Sequence, residues 1–336
     1  MTEGRYARIT GLGRYVPPRV VTNDDLARLV DTSDEWIRSR TGIIERHLVE
    51  EGDTTSTMAA RAGSEALEGA GVDPSDVDLV IVATSTPDYP LFPATACLVQ
   101  TALGLTRAGA YDLSAACSGF VYGLVTASQF IAAGAYENVL VIGADALSRS
   151  IDFTDRTTCV LFGDGAGAAL VAASDEPGGL LSFVLGADGS GGAHMHVPAG
   201  GSRTPLTSEL LAERANTIRM NGREVYRFST TVPTTALAEA ASKAGVGIGD
   251  LDVVVAHQAN VRILQTAAKN MGVSDELFYT NLDRYGNTSA ASVPLALYEA
   301  CACGRIQSGS LVGFMGFGAG LTWATAIWRW QGLTEG

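Results

Sequence analysis

The feature of this sequence that most constrains its fold is a repeat that relates its two halves. Each half holds an Ala-Gly-Val triplet, two aspartates, a continuous apolar run and a second apolar run further along, in the same order. The paired stretches are 70–72 with 244–246, 79–81 with 253–255, and 139–143 with 311–315. Continuous apolar runs of this length are typical of strands in parallel sheets that helices cover on both faces. The sequence therefore predicts an α/β chain built from two copies of a βαβ-rich unit.

The repeat also predicts which side chains meet. The two copies divide the chain into halves at 1–175 and 176–336. Between the matched runs, the helix after Cys117 corresponds to the helix after Asn287, so these residues would occupy equivalent helix starts. His257 follows the first matched strand of the second half. Two copies folded about a pseudo-twofold axis would bring Cys117, His257 and Asn287 to one place.

Several local elements can be placed from capping residues and apolar patterns. Ser33 is expected to cap a helix over 34–40, which has acidic residues in its first turn. Asn23 is expected to cap a shorter helix that ends at Leu29. Further predictions are a strand at 7–13, a helix at 54–69, and a strand that follows a glycine-rich turn within 162–173.

Cys117 lies between a short strand and a long uncharged segment, among Ala115, Ala116, Ser118 and Gly119. This pattern predicts a strand, a tight turn and a helix that begins just after the cysteine. Because a helix N-terminus favours negative charge, a thiol at that position is expected to ionise more readily than usual. The small neighbours would let a substrate approach the sulfur, whereas an inert buried cysteine is the alternative interpretation.

Composition narrows the class of protein. The chain has 336 residues, of which 46% are hydrophobic, and this is enough to bury a large core. A net charge of −13 argues against a nucleic-acid partner. The five cysteines lack framework spacing and a CxxC pair, and histidine is scarce. This argues against a metal site and fits a reducing, cytoplasmic setting.

No segment is expected to be a membrane span, so a soluble protein is predicted. The first eight residues are polar and charged, without an apolar signal region. Residues 113–136 carry no charge and are long enough to cross a bilayer, but serines, a glutamine and several glycines interrupt them. A core helix preceded by the cysteine turn is the better interpretation of this segment.

Basic residues cluster in two places despite the acidic balance of the chain. Arg219, Arg223 and Arg227 have a four-residue spacing that would place them on one face of a helix. Arg262 and Lys269 form a second group. A solvated surface is enough to explain this spacing, and a docking patch for an acidic partner or a phosphate is the alternative.

Three further stretches are candidates whose roles the local sequence leaves open. His257 follows an apolar strand, where α/β sheets place functional residues, but a core histidine would fit as well. Asn287 could simply cap the helix that follows it. The backbone N–H groups of residues 316–323 could bind an oxyanion or belong to a plain tight turn.

Six motifs change this balance when they are taken together. They are DTSDEWIRSRTGI, SAACSGF, FGDGAGAA, HQANVRI, YGNTSAASVP and GFGAGLTW. In this order, over nearly the whole chain, they resemble the β-ketoacyl-acyl-carrier-protein synthase III family of the thiolase superfamily. The resemblance implies a duplicated five-layer αβαβα fold and a homodimer. It also implies a decarboxylating Claisen condensation of a short acyl-CoA primer with malonyl-acyl-carrier protein, which initiates fatty-acid synthesis.

The resemblance also implies roles for the matching residues. Cys117 would be the acyl-accepting nucleophile, and His257 with Asn287 would serve the decarboxylation by stabilising the enolate oxygen. The N–H groups of Cys117 and Ala319 would hold the oxyanion of the condensation step. Ala319 stands where many members carry glycine, but it keeps its N–H. No metal or redox cofactor is expected, and coenzyme A enters as the thioester of the substrate.

Further positions match the binding residues of the family. The matches to its CoA contacts are Trp36, Arg40, Arg156 and Asn260. The matches to its acyl pocket are Leu147, Phe162 and Phe92, of which Phe92 would reach the pocket of the neighbouring subunit across the dimer interface. The matches to its carrier-protein docking patch are Arg227, Arg262 and Lys269.

The primer and the pathway stay open. Residues 191–213 depart from the family pattern beside the acyl pocket, so primer length and branching are not predicted. His194 and His196 are interpreted as residues of this loop and not as metal ligands. A priming ketosynthase of a polyketide pathway is the alternative with the same chemistry, and a non-catalytic acyl-CoA-binding protein is an alternative outside it. A nucleotide-dependent enzyme is rejected because an apolar strand, and not a helix, follows the glycines of 163–167.

Overall fold

The computed structural model describes residues 5–334 of the chain. The strands are β1 (Tyr6–Tyr15), β2 (Arg19–Thr22), β3 (Glu45–Leu48), β4 (Leu79–Ala83), β5 (Gly109–Leu113), β6 (Asn138–Asp145), β7 (Gly165–Ser174), β8 (Gly179–Ala187), β9 (Met195–His196), β10 (Arg219–Met220), β11 (Val253–Ala256), β12 (Leu311–Gly318) and β13 (Thr322–Arg329). The α-helices are α1 (Asn23–Ala27), α2 (Asp34–Thr41), α3 (Thr55–Ala70), α4 (Thr95–Ala102), α5 (Gly119–Ala132), α6 (Arg156–Cys159), α7 (Ser208–Ala212), α8 (Gly222–Lys243), α9 (Val261–Met271), α10 (Leu282–Tyr285) and α11 (Ser292–Ala302).

The long strands of each half form a sheet of their own. The first sheet has the order β1-β7-β6-β4-β5, and β4 is parallel to both β5 and β6. The second has the order β11-β12-β13-β8, and β11 is parallel to β12. The remaining neighbours are antiparallel, so both sheets are mixed and not wholly parallel as predicted. The reason is that β7 and β13 return beside the preceding strand without a crossover helix.

Helices form three layers around the two sheets. Helices α5 and α11 lie between the sheets, where Leu124 and Val293 belong to a core shared by both halves. Helices α3 and α4 cover the outer face of the first sheet, and α8 and α9 cover that of the second. The predicted five-layer αβαβα arrangement is therefore confirmed.

The uncharged segment 113–136 folds as the sequence predicted. A tight turn interrupts it, and its helical part, α5, packs between the two sheets as a core helix. Within residues 5–334, no helix is long and apolar enough to span a bilayer.

The internal repeat is visible in matching hydrogen bonds, which correct the register of the sequence comparison. Asp78 accepts a hydrogen bond from the N–H of Asn138 at 3.0 Å, and Asp252 accepts one from the N–H of Leu311 at 2.7 Å. Asn138 and Leu311 are therefore equivalent positions. The stretch equivalent to 139–143 therefore begins at residue 312, and not at residue 311 as the sequence comparison placed it.

The two central helices also begin at positions that differ from the predicted match. A short 3₁₀ turn precedes each helix, and its first residue has a left-handed backbone: Ala116 with φ 48° and Ser289 with φ 51°. Superposing the two turns makes Ala290 the counterpart of Cys117. The predicted equivalence of Cys117 and Asn287 is therefore wrong, since Asn287 precedes the turn.

One capping prediction is confirmed and one is wrong. The hydroxyl of Ser33 accepts a hydrogen bond from the N–H of Trp36 at 3.1 Å and caps α2. Thr22, and not Asn23, caps α1. Asn23 is buried, and its side chain donates to the carbonyl of Ile43 at 2.8 Å, so it serves the core and not the helix end.

Candidate active site

Cys117 is placed by a tight turn that only small neighbours allow. It follows β5, lies in the 3₁₀ turn and immediately precedes Ser118 and α5, as predicted. A Cβ on Gly119 would come within 2.9 Å of Ala83 Cβ, and a Cβ on Gly318 within 2.7 Å of the Cys117 nitrogen. Glycine at these two positions therefore lets the strands β4 and β12 approach the cysteine turn closely.

His257 reaches the site from the end of β11. The backbone N–H of His257 donates to the carbonyl of Met315 at 2.8 Å, and this hydrogen bond aligns the residue with the neighbouring strand β12. The residue is 2% exposed, and its ring meets the ring of Phe317 edge-on at 5.1 Å between centroids. This packing fixes the position of the imidazole.

Asn287 is held by both its backbone and its side chain. Its N–H donates to the carbonyl of Leu161 at 2.8 Å, and its own carbonyl accepts from the N–H of Gly163 at 3.0 Å. The Oδ1 atom accepts from the N–H of Ser289 at 2.9 Å. Because Oδ1 is engaged in this way, the amide presents its Nδ2 donor as the group available to a ligand.

The three side chains meet at one cavity of about 160 Å³, as the repeat and the resemblance predicted. Cys117, His257 and Asn287 all line it, and so do Asn260 and Ala319. The cavity is otherwise largely apolar, so a charge that develops on a bound group would interact strongly with the polar side chains around it.

Burial controls the charge states of Cys117 and His257 at this cavity. It raises the pKa of Cys117 to about 12, while the hydroxyl of Ser289 opposes the shift and the carboxylate of Asp145 adds to it. Cys117 is therefore a protonated thiol at neutral pH. The expectation that it ionises readily is wrong, because desolvation of the sulfur outweighs the helix N-terminus. Burial lowers the pKa of His257 to about 3, against a hydrogen bond with the backbone of Ser289, so the imidazole is neutral.

Comparison with known proteins identifies the family. The family sequence model of 3-oxoacyl-[acyl-carrier-protein (ACP)] synthase III matches residues 111–189. The family sequence model of the C-terminal part of that synthase matches residues 241–330. A β-ketoacyl-[acyl-carrier-protein] synthase III of Symbiobacterium thermophilum is 53% identical over 322 residues, which cover 96% of this chain and 97% of the relative. The chain belongs to the synthase III family.

Solved structures agree with this assignment. A 3-oxoacyl-[acyl-carrier-protein] synthase III from Aquifex aeolicus VF5 superposes with a TM-score of 0.90 at 43% identity, covering 96% of this chain and all of that one. The priming β-ketosynthase of the R1128 polyketide pathway superposes with a TM-score of 0.89 at 36% identity, over 98% of both chains. The polyketide alternative is not favoured, because relatives with the synthase III name are more similar in sequence.

Cys117 also lines a second cavity of about 190 Å³. Leu147 and Phe162, two of the residues that match the acyl pocket of the family, line this cavity as well. Phe92 does not line this cavity, and its side chain is 82% exposed. Sequence reasoning assigned none of the other lining residues to an acyl pocket; they are Ser85, Thr86, Ala116, Ser150, Met195, His196, Val197, Ile218, Ser289 and Ala319. Several of them come from the 191–213 loop, which the family pattern did not cover.

Four residues of this chain match CoA contacts of the synthase III family, and three of them, Trp36, Arg40 and Arg156, lie together at the surface. The guanidinium carbon of Arg156 lies 5.0 Å from the centroid of the Trp36 ring, and that of Arg40 lies 5.8 Å from it. Arg156 also donates to the carbonyl of Asp31 at 2.6 Å, which holds it beside the ring. The fourth match, Asn260, caps α9 by accepting a hydrogen bond from the N–H of Arg262 at 2.8 Å, and it lines the cavity that Cys117, His257 and Asn287 share.

The basic residues of the predicted docking patch lie on α8 and α9, but two of them already have intramolecular partners. Arg227 pairs with Glu224 at 2.5 Å, and Arg262 donates to the carbonyl of Ser39 at 2.6 Å. Lys269 is exposed on α9. Arg219 lies in β10, ahead of α8, so the predicted helix face that it would share with Arg223 and Arg227 does not form.

Sequence reasoning also missed a buried carboxylate behind the cysteine. Asp145 ends β6, is fully buried and accepts hydrogen bonds from the N–H groups of Ser85 at 2.7 Å and Ala290 at 3.2 Å. It also accepts from both the N–H and the hydroxyl of Thr86, at 3.1 and 3.0 Å. No local signal marks this residue, because its partners come from two distant segments.

Proposed function

We propose that this protein is a decarboxylating condensing enzyme that joins a short acyl-CoA primer to malonyl-acyl-carrier protein and so initiates a fatty-acid chain. The observation that carries the proposal is the position of Cys117. This residue lines both a cavity that it shares with His257 and Asn287 and a second, largely apolar cavity. The first cavity suits the reacting thioester, and the second suits the acyl group.

In the first half-reaction, Cys117 would attack the acyl carbonyl of the acyl-CoA. A sulfur–carbon bond to Cys117 forms, the bond to the CoA sulfur breaks, and the departing CoA thiolate takes up the proton that Cys117 loses. Exchange of one thioester for another is nearly balanced in free energy, so the reaction needs no further driving force. The N–H groups of Cys117 and Ala319 would stabilise the oxyanion between the two thioesters.

In the second half-reaction, malonyl thioester would lose CO₂ and leave an enolate. The Nδ2 donor of Asn287 and a ring N–H of His257 would stabilise the enolate oxygen. Because the imidazole is neutral, it donates a hydrogen bond without protonating the carbon. The enolate carbon then attacks the acyl carbonyl on Cys117, the new carbon–carbon bond forms as the sulfur–carbon bond breaks, and Cys117 leaves as a thiolate that takes up a proton from solvent.

The remaining matches support a binding path for the two substrates. The indole of Trp36, with the guanidinium groups of Arg40 and Arg156 close to it, would offer a stacking face and positive charge for the CoA nucleotide. Asn260, on the cavity wall, would contact the pantetheine arm. The residues proposed to dock the acidic carrier protein are Arg227, Arg262 and Lys269.

We also propose that the enzyme works as a homodimer. Three large apolar side chains of one loop are exposed: Tyr89 at 51%, Leu91 at 81% and Phe92 at 82%. A cluster of this kind is typical of an interface with another chain. Phe92 would then complete the acyl pocket of the partner subunit. A cytoplasmic location stays a prediction from the cysteine usage.

The proposal is tested by intact-protein mass spectrometry after mixing the enzyme with acetyl-CoA. The wild type is expected to gain one acetyl group, and Cys117→Ala is expected to gain none. Cys97→Ala, which removes an exposed free cysteine, is the matched control and should be labelled like the wild type. An unlabelled wild type, or a labelled Cys117→Ala, would contradict the proposal. A panel of longer and branched acyl-CoA primers then defines the primer.

A further inference from the structure

Ser289 contacts two of the three side chains that the proposed reaction uses, those of Cys117 and Asn287. Its Oγ lies 3.4 Å from the sulfur of Cys117, and its N–H donates to Oδ1 of Asn287 at 2.9 Å. The residue is 2% exposed, so no water competes freely for these contacts.

The position of Ser289 is held by a strained backbone and by its surroundings. Its φ of 51° lies in the left-handed region, which costs free energy for a residue with a Cβ. The next residue, Ala290, donates its N–H to the buried carboxylate of Asp145 at 3.2 Å. Asp145 therefore ties the turn that carries Ser289 to the first sheet.

The other half of the molecule shows that the turn does not need a hydroxyl. Ala116 is the counterpart of Ser289 in the turn before α5, and it adopts φ 48° with a methyl side chain. An alanine is thus accommodated in the same backbone conformation of the same fold. The hydroxyl of Ser289 has a use other than forming the turn, and its contact with Cys117 supplies one.

We propose that Ser289 is a positioning residue of the condensing site, whose hydroxyl orients the sulfur of Cys117 and stabilises the thiolate that attacks the acyl donor. Its N–H sets the orientation of the Asn287 amide at the same time. This inference deepens the proposed function and rests on it for the identity of the acyl donor. The proton of the thiol leaves with the CoA thiolate, as in the first half-reaction above.

The test measures the rate at which iodoacetamide alkylates Cys117, followed on its own peptide by mass spectrometry at several pH values. Ser289→Ala should lower this rate about tenfold at every pH, the size expected for losing a hydrogen bond to a charged group. Ser289→Gly, which also relieves the strain of the left-handed backbone at this position, should lower the alkylation rate by the same factor. Ser292→Ala is the matched control, because Ser292 is another buried serine nearby whose hydroxyl contacts Thr288 and not the cysteine.

The two variants separate the hydroxyl from the backbone. The titratable groups around the thiol are Asp145, His257 and Tyr226, and all three side chains are retained in both variants. The Ser289 hydroxyl also lowers the pKa of the buried Asp145 carboxyl, so both variants lose this contribution alike. Alkylation of Ser289→Ala at the wild-type rate, or a rate restored by Ser289→Gly, would overturn the proposal, and so would an equal loss in Ser292→Ala.

Kinetics with acetyl-CoA provide an independent readout. The acetylation rate constant of Ser289→Ala should fall by the same factor as alkylation, while the KM for acetyl-CoA stays unchanged. A change confined to KM would overturn the positioning role. If the wild type is not acetylated at all, the proposed function fails, whereas the alkylation rates still decide the role of Ser289.

Discussion

Cys117 combines a buried sulfur with access through a cavity, and this sets its dependence on pH. Its pKa is raised to about 12, so the thiolate fraction grows throughout the neutral and mildly alkaline range. Alkylation of Cys117 by iodoacetamide should therefore rise about tenfold per pH unit from about pH 7 to about pH 9. A plateau near neutral pH would instead show a thiol whose pKa is lowered, as a helix N-terminus alone would produce.

The indole of Trp36 and its two arginines allow a test of nucleotide binding at single residues. Arg156→Ala removes the guanidinium that lies nearer the ring, and we expect the KM for acetyl-CoA to rise about tenfold with little change in kcat. Arg38→Ala is the matched control. Arg38 is an exposed arginine on α2, the helix that carries Trp36, but it pairs with Asp34 at 3.4 Å. Equal effects of the two variants would argue that only the net charge of this surface matters.

At the scale of whole elements, the fit between the halves depends on strands that carry glycine where the opposite turn approaches. A Cβ on Gly316 of β12 would lie 2.8 Å from Cα of Ser118, and the backbone there cannot move freely. We expect Gly316→Ala to lower the free energy of unfolding by about 1–3 kcal/mol in urea denaturation. Gly249→Ala, at a site with open space around its Cα, should change it by less than about 0.5 kcal/mol. Similar values for the two variants would contradict this account of the packing.

Elements were predictable where a local signal decides them, and less so where a contact across the fold does. The serine cap of α2 and the apolar run of β4 follow from a few adjacent residues, and both are confirmed. The match between Cys117 and Asn287 is wrong because neither turn marks its left-handed residue with a glycine. The sequence comparison therefore had no feature by which to align the turns.

At the scale of the whole molecule, the repeat and the family motifs together predicted that three distant side chains meet, although the repeat matched Cys117 with the wrong residue. They were not enough to predict the charge states of these side chains. The pKa values of Cys117 and His257 depend on burial by both halves, which no local pattern encodes. The roles assigned to Ser289 and Asp145 were missed for the same reason, since their partners lie in other segments of the chain.

The proposed dimer is a property of the whole molecule and has its own test. Phe92→Asp places a charge in the exposed apolar loop, and we expect it to weaken self-association in sedimentation velocity. Leu29→Asp is the matched control, because Leu29 is 60% exposed in another part of the structure. A wild type that sediments as a monomer at all concentrations would contradict the proposed dimer, and so would a Phe92→Asp variant that associates as the wild type does.

The central claim is that Cys117 carries the acyl group while His257 and Asn287 act on the malonyl group. A single-turnover chase tests it most directly: acetylated enzyme is mixed with malonyl-acyl-carrier protein, and the enzyme mass is followed. The wild type should lose its acetyl group as 3-oxobutanoyl carrier protein appears, whereas His257→Ala should be acetylated normally and keep the acetyl group. An acetylated wild type that survives the chase, or a His257→Ala that cannot be acetylated, would contradict this division of roles.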